Sequence, residues 1–240
     1  MDVIPVIDLM GGVVVHARRG ERDAYRPIES RLVAGSGPLA IVAALMRLAP
    51  FRRLYIADID AIRGGRGHDS TVMAIAAAHP ELEIWVDRGE TDVETLAERR
   101  ADGEISVIGT ESFEDGRTLE HALKASGGVL SLDHDASGPI GPEAAHHDAA
   151  LWPRRVVVMT LARVGAGQGP DVERLAEVVA MAGAREVYAA GGVRGAEDLE
   201  ALRSIGVSGA LVASALHDGR LSSEQLAEVL QAGRRTPPRQ

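Results

Sequence analysis

Eight short apolar runs, each followed by a stretch with helical periodicity, organise this chain of 240 residues. The runs are Val3–Ile7, Arg53–Ala57, Glu83–Val86, Ile105–Ile108, Val129–Leu132, Val156–Met159, Glu186–Ala189 and Ala210–Val212. They carry Val, Ile, Leu and Ala with little alternation, as parallel strands covered on both faces do. Helical patterns over about 38–48, 69–78, 91–101, 115–125, 143–151, 171–182, 196–204 and 222–232 fill the gaps. Eight β-then-α units in a chain of this length predict one α/β domain, a (β/α)8 TIM barrel over 1–233, with a flexible tail at 234–240. An open doubly wound sheet is the alternative, because strand count alone does not prove closure.

An internal repeat favours closure. Trp85-Val86-Asp87-Arg88-Gly89 resembles Tyr188-Ala189-Ala190-Gly191-Gly192, and Ser106-Val107-Ile108-Gly109-Thr110 resembles Ala210-Leu211-Val212-Ala213-Ser214 at nearly the same offset. Two half-barrels follow. The equivalent strand ends Asp8 and Asp133 lie further apart, so the first half carries an insertion: Val13–His16 and the charged stretch Ala17–Arg31 read as a short β-ribbon and a mobile loop over the active face. Gly169-Pro170-Asp171 places Pro near a first helical position, and Ser222 with Gln225 has capping-box spacing.

Hydrophobic residues make up 45 % of the chain and aromatics only 3 %, which supports a large core and argues against a base-stacking nucleic-acid binder. A net charge of −9 disfavours nucleic acid and anionic membranes as partners. There is no cysteine, which excludes disulfides, thiolate catalysis and Cys-ligated zinc. With Asp2 where a signal peptide would carry basic residues, and no apolar run of about 20 residues, a cytoplasmic protein is expected.

The chemistry points to strand ends. A carboxylate closing a buried strand is costly unless used or paired, and Asp8 and Asp133 close equivalent strands. Two carboxylates facing one pocket is what general acid/base catalysis needs. Gly191-Gly192 and Ala213-Ser214 follow the seventh and eighth strands, where barrels commonly hold a phosphate on backbone N–H groups. The corresponding first-half segment, Arg88, Gly89, Gly109 and Thr110, is a possible second anion site, although Asp87 would repel a phosphate there. Asp58, Asp60 and Arg163 are further pocket candidates, with capping an equal reading for the two aspartates. Gly165, Gly167 and Gly169 lack dinucleotide-motif spacing and read as a loop. His134, His146 and His147 lack metal-ligand spacing and read as solvated, so no metal site is expected.

Ile4-Pro5-Val6-Ile7-Asp8-Leu9-Met10-Gly11-Gly12, Ser131-Leu132-Asp133, Ala190-Gly191-Gly192-Val193 and Leu211–Leu216 together resemble the ProFAR isomerase family, the HisA/HisF-type barrels of histidine biosynthesis. The resemblance spans nearly the whole chain. It implies a barrel of two half-barrels and an Amadori rearrangement of a bisphosphorylated aminoaldose without metal or cofactor. It further implies Asp8 as general base and Asp133 as general acid. The chain departs from the family pattern at Met159 and Val164, where a catalytic threonine and an aspartate are usual, and in the glycine cluster after the third strand. The resemblance therefore implies a HisA-related paralogue acting on a small phosphorylated metabolite, of the kind found in biosynthesis of methanofuran- or methanopterin-type one-carbon cofactors. The alternatives are a true ProFAR isomerase and a non-catalytic barrel that binds a phosphorylated ligand.

Overall fold

A computed structural model describes residues 1–234. In chain order the strands are β1 (Asp2–Met10), β2 (Val13–His16), β3 (Arg26–Pro27), β4 (Arg53–Asp58), β5 (Glu83–Asp87), β6 (Ile105–Gly109), β7 (Val129–His134), β8 (Arg155–Thr160), β9 (Glu186–Ala190) and β10 (Gly209–Val212). The helices are α1 (Pro38–Leu48), α2 (Ile59–Ile62), α3 (Asp69–Ala78), α4 (Val93–Ala101), α5 (Gly116–Ser126), α6 (Glu143–His147), α7 (Val172–Ala182), α8 (Ala196–Ser204), α9 (Ser214–His217) and α10 (Ser223–Arg234). β1 and β4 to β10 pair in parallel in chain order, and β10 pairs back onto β1. The sheet is a closed (β/α)8 barrel, which removes the open-sheet alternative. The predicted ribbon is β2 and β3, antiparallel extensions of β1, and the loop between them carries Tyr25, which is buried. The tail expected at 234–240 lies, from residue 235 onward, outside the described residues. Among the described residues no helix is long and apolar enough to cross a membrane.

Helix starts follow local chemistry. Asp92, Asp115 and Asp171 cap α4, α5 and α7 by accepting from backbone N–H groups. Pro170 thus precedes the cap of α7 rather than opening the helix. Ser222 and Gln225 form the predicted reciprocal capping box at α10. The helix expected over 143–151 breaks, because Asp148 adopts an extended conformation and its carboxylate caps a separate turn at Ala149–Leu151. His146 of α6 then packs on His134 at the end of β7, and two of the histidines expected in solvent are buried. His134 and His146 are 4 % and 5 % exposed, with rings 4.8 Å apart edge to face. Ring nitrogens of the two bond the carbonyls of Leu132 and Ile140, and burial pushes the His134 pKa down to about 4. His147 is exposed, as expected. No three His, Asp or Glu side chains among the described residues are grouped to hold a metal ion.

Alternation along the barrel strands separates two cores. Leu54, Val86, Leu130 and Val156 face the helices, whereas Ile4, Tyr55, Trp85, Val107 and Tyr188 fill the barrel. The repeat meets itself on the floor, where Trp85 and Tyr188 pack edge to face with centroids 5.0 Å apart. Arg53 and Arg155, also equivalent in the repeat, both bond Glu83, and both guanidinium groups lie over the Trp85 ring. The register sets heights. Asp8 pairs with Ala57, Ala57 with Asp87, Asp87 with Val107, and Val107 with Val129. Carried on through β8, β9 and β10, this row returns to β1 about eight residues below its start, the stagger of an eight-stranded barrel. Each strand therefore gains about one residue of height on the last. Trp85→Ala should cost about 3–5 kcal/mol by removing the centre of the floor, read as a lower urea midpoint with the m-value retained.

Candidate active site

Correcting for that climb, Asp8 and Asp133 stand at one height on the first and fifth barrel strands, on opposite sides of the barrel axis. Gly192 and Ser214 come to the same height on the strand ends of β9 and β10. All four line one cavity of about 280 Å³ at the C-terminal mouth. The two carboxylates and the glycine wall, separate in sequence, are thus brought together.

Asp133 is 4 % exposed and held from three sides. Its Oδ1 bonds the Ser131 hydroxyl at 2.6 Å, and its Oδ2 accepts from the Glu111 N–H at 3.0 Å and the Thr110 hydroxyl at 3.4 Å. Thr110 Oγ1 in turn accepts from the Asp133 N–H. Gly109 is bare for the same reason, since a Cβ there would lie 2.8 Å from Asp133 Oδ2. Asp8 is half-buried, and no hydrogen bond to its carboxylate contributes to its ionisation. The turn after it is fixed instead: the Gly11 N–H donates to Asp60 Oδ2 and the Gly12 N–H to His68 Nε2. Asp58, fully buried, caps α2 and holds both the backbone and the ring of His68. Asp58 and Asp60 therefore lie outside the cavity wall and brace the Asp8 strand end. Arg163 also lies outside it, donating to the carbonyls of Gly169 and Pro170 and closing the glycine loop. Gly165 and Gly167 of that loop do line the cavity.

The two anion sites expected from the repeat diverge. Gly191 and Gly192 adopt φ of +102° and +87°, and a Cβ would lie 2.6 Å and 2.2 Å from the carbonyl oxygens of Thr160 and Gly169. Only glycine fits, and the amides of Gly191, Gly192 and Ser214 take no backbone partner among the described residues. Ala213 and Ser214 complete this wall, with Ser214 Oγ 3.2 Å from His16 Nε2. In the first half, the Gly89 amide, equivalent to that of Gly192, is already used, as is the amide of Glu111, one residue beyond the Ser214 equivalent Thr110. The Gly89 N–H donates to Asp87 and the Glu111 N–H to Asp133. Arg88 turns outward, its guanidinium on Glu104 and Asp69. Arg88, Gly89, Gly109 and Thr110 are not brought together as an anion cradle.

Several further residues line the cavity, among them Asp87, expected from the sequence only as an obstacle to phosphate. Asp87 points into the cavity one pleat below Asp8 and Asp133, on the third strand between them, and accepts from the Tyr55 hydroxyl at 3.0 Å. Its signal was available, since it closes an apolar run as Asp8 does. Glu111, Arg22, His16 and His217 also line the wall, and Arg22 pairs with Glu111. Arg22 and Glu111 lie in single short turns, and His16 and His217 end β2 and α9, placements that no periodicity reveals. Burial raises all three aspartates. Asp87 reaches about 6; Asp8, further raised by the Asp87 charge, about 7; and Asp133, further raised by Glu111, about 8. His217, 2 % exposed, is pushed down to about 4 by burial.

Residues 2–222 match the family model described as "Histidine biosynthesis protein". An uncharacterized protein of Methanocaldococcus jannaschii is 29 % identical over 232 residues, covering 94 % of this chain and 97 % of its own length. A 1-(5-phosphoribosyl)-5-((5-phosphoribosylamino)methylideneamino)imidazole-4-carboxamide isomerase of Rubrobacter xylanophilus is 33 % identical over 239 residues, covering 93 % and 94 %. The protein of that name from Halorhodospira halophila is 30 % identical over 238 residues, covering 92 % and 94 %. With the closed barrel and a match along nearly its whole length, this chain belongs to the histidine biosynthesis protein family of HisA/HisF-type barrels.

Proposed function

We propose that the chain is a HisA-related enzyme that acts on a small phosphorylated substrate by acid/base catalysis, with Asp8 as general base and Asp133 as general acid. The observation that carries this reading is the opposition of the two carboxylates at one height across a cavity whose third side is the Gly191–Gly192 and Ala213–Ser214 wall. The order of their pKa values supports the division of labour. Asp133, at about 8, holds its proton at neutral pH, whereas Asp8, at about 7, is the one more available to accept. In an aldose–ketose rearrangement, Asp133 gives its proton to the ring oxygen as the ring opens. Asp8 removes the proton on the carbon beside the new C=N group, and the two carboxyls return to their starting states by exchange with solvent. The amides of Gly191, Gly192 and Ser214 are free to hold the phosphoryl group and so fix the reacting carbon between the two aspartates.

The relatives named as isomerases act, by that name, on a molecule with two phosphoribosyl groups. Here, of the two repeat-related segments, Gly191–Gly192 and Ala213–Ser214 line the cavity, whereas Arg88, Gly89, Gly109 and Thr110 do not. Met159 and Val164, both in the wall, add no group able to move a proton. This favours a paralogue with a different substrate over the isomerase reaction itself. No residue of the cavity bears on the one-carbon cofactor setting implied by the resemblance, and that setting forms no part of this reading.

Expression in a histidine auxotroph lacking the isomerase should not restore growth; growth at the rate given by an authentic isomerase would overturn the paralogue reading. Inorganic phosphate at about ten times its Kd should raise the unfolding free energy by about 1.4 kcal/mol, and Ser214→Asp should erase the gain by placing a carboxylate at the anion. Asp8→Asn and Asp133→Asn should abolish turnover while leaving the far-UV circular dichroism unchanged. They should also alter the pH dependence of stability. A carboxyl raised in the folded state from 3.8 to about 7 or 8 favours folding below pH 3.8 and loses that contribution as pH rises through the folded pKa. Urea unfolding of either variant should therefore show a smaller decline between pH 5 and pH 9 than the parent, by at least about 1 kcal/mol.

A further inference from the structure

The charges lining the cavity do not balance. Arg22 pairs with Glu111, and Arg220 pairs with Asp218 at 2.8 Å. With those pairs formed, Asp8, Asp87 and Asp133 share one pit without an ion-pair partner among the described residues, the Arg22 charge that reaches Asp87 being held by Glu111. Uncompensated carboxylates in such a place are costly, and a cation brought by a ligand would relieve that cost. The opposite wall lacks a partner in a different way. His217, 2 % exposed and part of the wall, bonds Ser30 through Nδ1, but its Nε2 has no hydrogen-bond partner among the described residues. Beside it stand Ser214, His16 and the unpaired amides of Gly191 and Gly192. One side of the cavity thus lacks a positive charge, and the other lacks an acceptor or anion. The glycine wall stands at the rim, whereas Asp87 lies one pleat deeper, so the two deficits are separated along the depth of the pit.

We propose that the cavity takes a zwitterionic small molecule, with a single phosphoryl group at the glycine wall and a protonated amine at the Asp87 end, Asp87 being the residue that selects the amine and rejects a second phosphate. The phosphoryl half rests on the reading given under Proposed function; the amine half rests on the uncompensated carboxylates. The Tyr55 hydroxyl and the Gly89 N–H already donate to Asp87, which holds it as the acceptor for an ammonium entering from above. A second phosphate in that position would meet the Asp87 and Asp8 carboxylates.

Calorimetry at pH 8 with three probes of equal chain length tests this: 3-aminopropyl phosphate, propyl phosphate and propane-1,3-diol bisphosphate. The aminoalkyl phosphate should bind about tenfold or more tighter than propyl phosphate, and the bisphosphate more weakly than either. Asp87→Asn should bring the aminoalkyl and propyl compounds to equal affinity, while leaving propyl phosphate bound as in the parent. Should that variant fail to fold, the ranking of the three probes on the parent protein still decides. Equal binding of aminoalkyl and propyl phosphate, or tightest binding by the bisphosphate, overturns the amine end while the phosphate grip survives. Failure of all three to bind removes the phosphate grip and the proposal together.

Discussion

The stagger of the parallel ladder is the constraint on which the rest of this structure depends. Because each strand climbs relative to the last, hydrogen-bonded neighbours are not level neighbours. Asp87 shares a ladder row with Asp8, yet it sits deeper in the barrel. Asp133 lies far above that row in residue count, yet it faces Asp8 across the axis. Closure of β10 onto β1 fixes this geometry, and no single strand could slip without losing pairing on both sides.

The site is built against the preferences of a folded protein. Three aspartates are drawn into one pit, and burial raises the pKa of each. What keeps them in place is a supporting set of neutral donors. Ser131, Thr110 and the Glu111 amide serve Asp133, and Tyr55 and the Gly89 amide serve Asp87. Asp8 is positioned through its backbone, by the Asp60 and His68 contacts to the turn that follows it. The floor lies beneath, where arginines, glutamates, Trp85 and Tyr188 close the barrel and keep its lower interior packed. Stability is concentrated at one end of the barrel and chemical tension at the other, the usual division of labour in this architecture.

Divergence between the half-barrels follows from particular residues. Each half retains an equivalent strand end and turn. In the second half the backbone bends so tightly at Gly191 and Gly192 that no side chain fits, and the amides are left open. In the first half the Gly89 and Glu111 amides are capped by the protein's own carboxylates, and Arg88 is drawn outward by Glu104 and Asp69. Asp87 thus places a carboxylate in the cavity where the second half has Ala190, without altering the barrel.

The eight strands, their helices, the ribbon after β1 and the two facing aspartates were legible in the sequence, because they are written in local patterns: apolar runs, helical periods, caps and a repeat. Asp87 was legible only as an obstacle to phosphate, since its height and its neighbours depend on the ladder's climb. Asp58, Asp60 and Arg163 read as pocket candidates, yet their polar atoms are claimed by backbone groups, of Gly11 for Asp60 and of nearby loop and helix residues for Asp58 and Arg163. His134 and His146 read as solvated, because nothing local signals that their two rings, on β7 and α6, pack against each other. The sequence by itself determined the elements and the chemistry available at the strand ends, because both arise from nearest-neighbour pattern. Only the tertiary structure decided which of those groups share a cavity, at what depth and with which partners, because closure and stagger bring together residues that no local pattern relates.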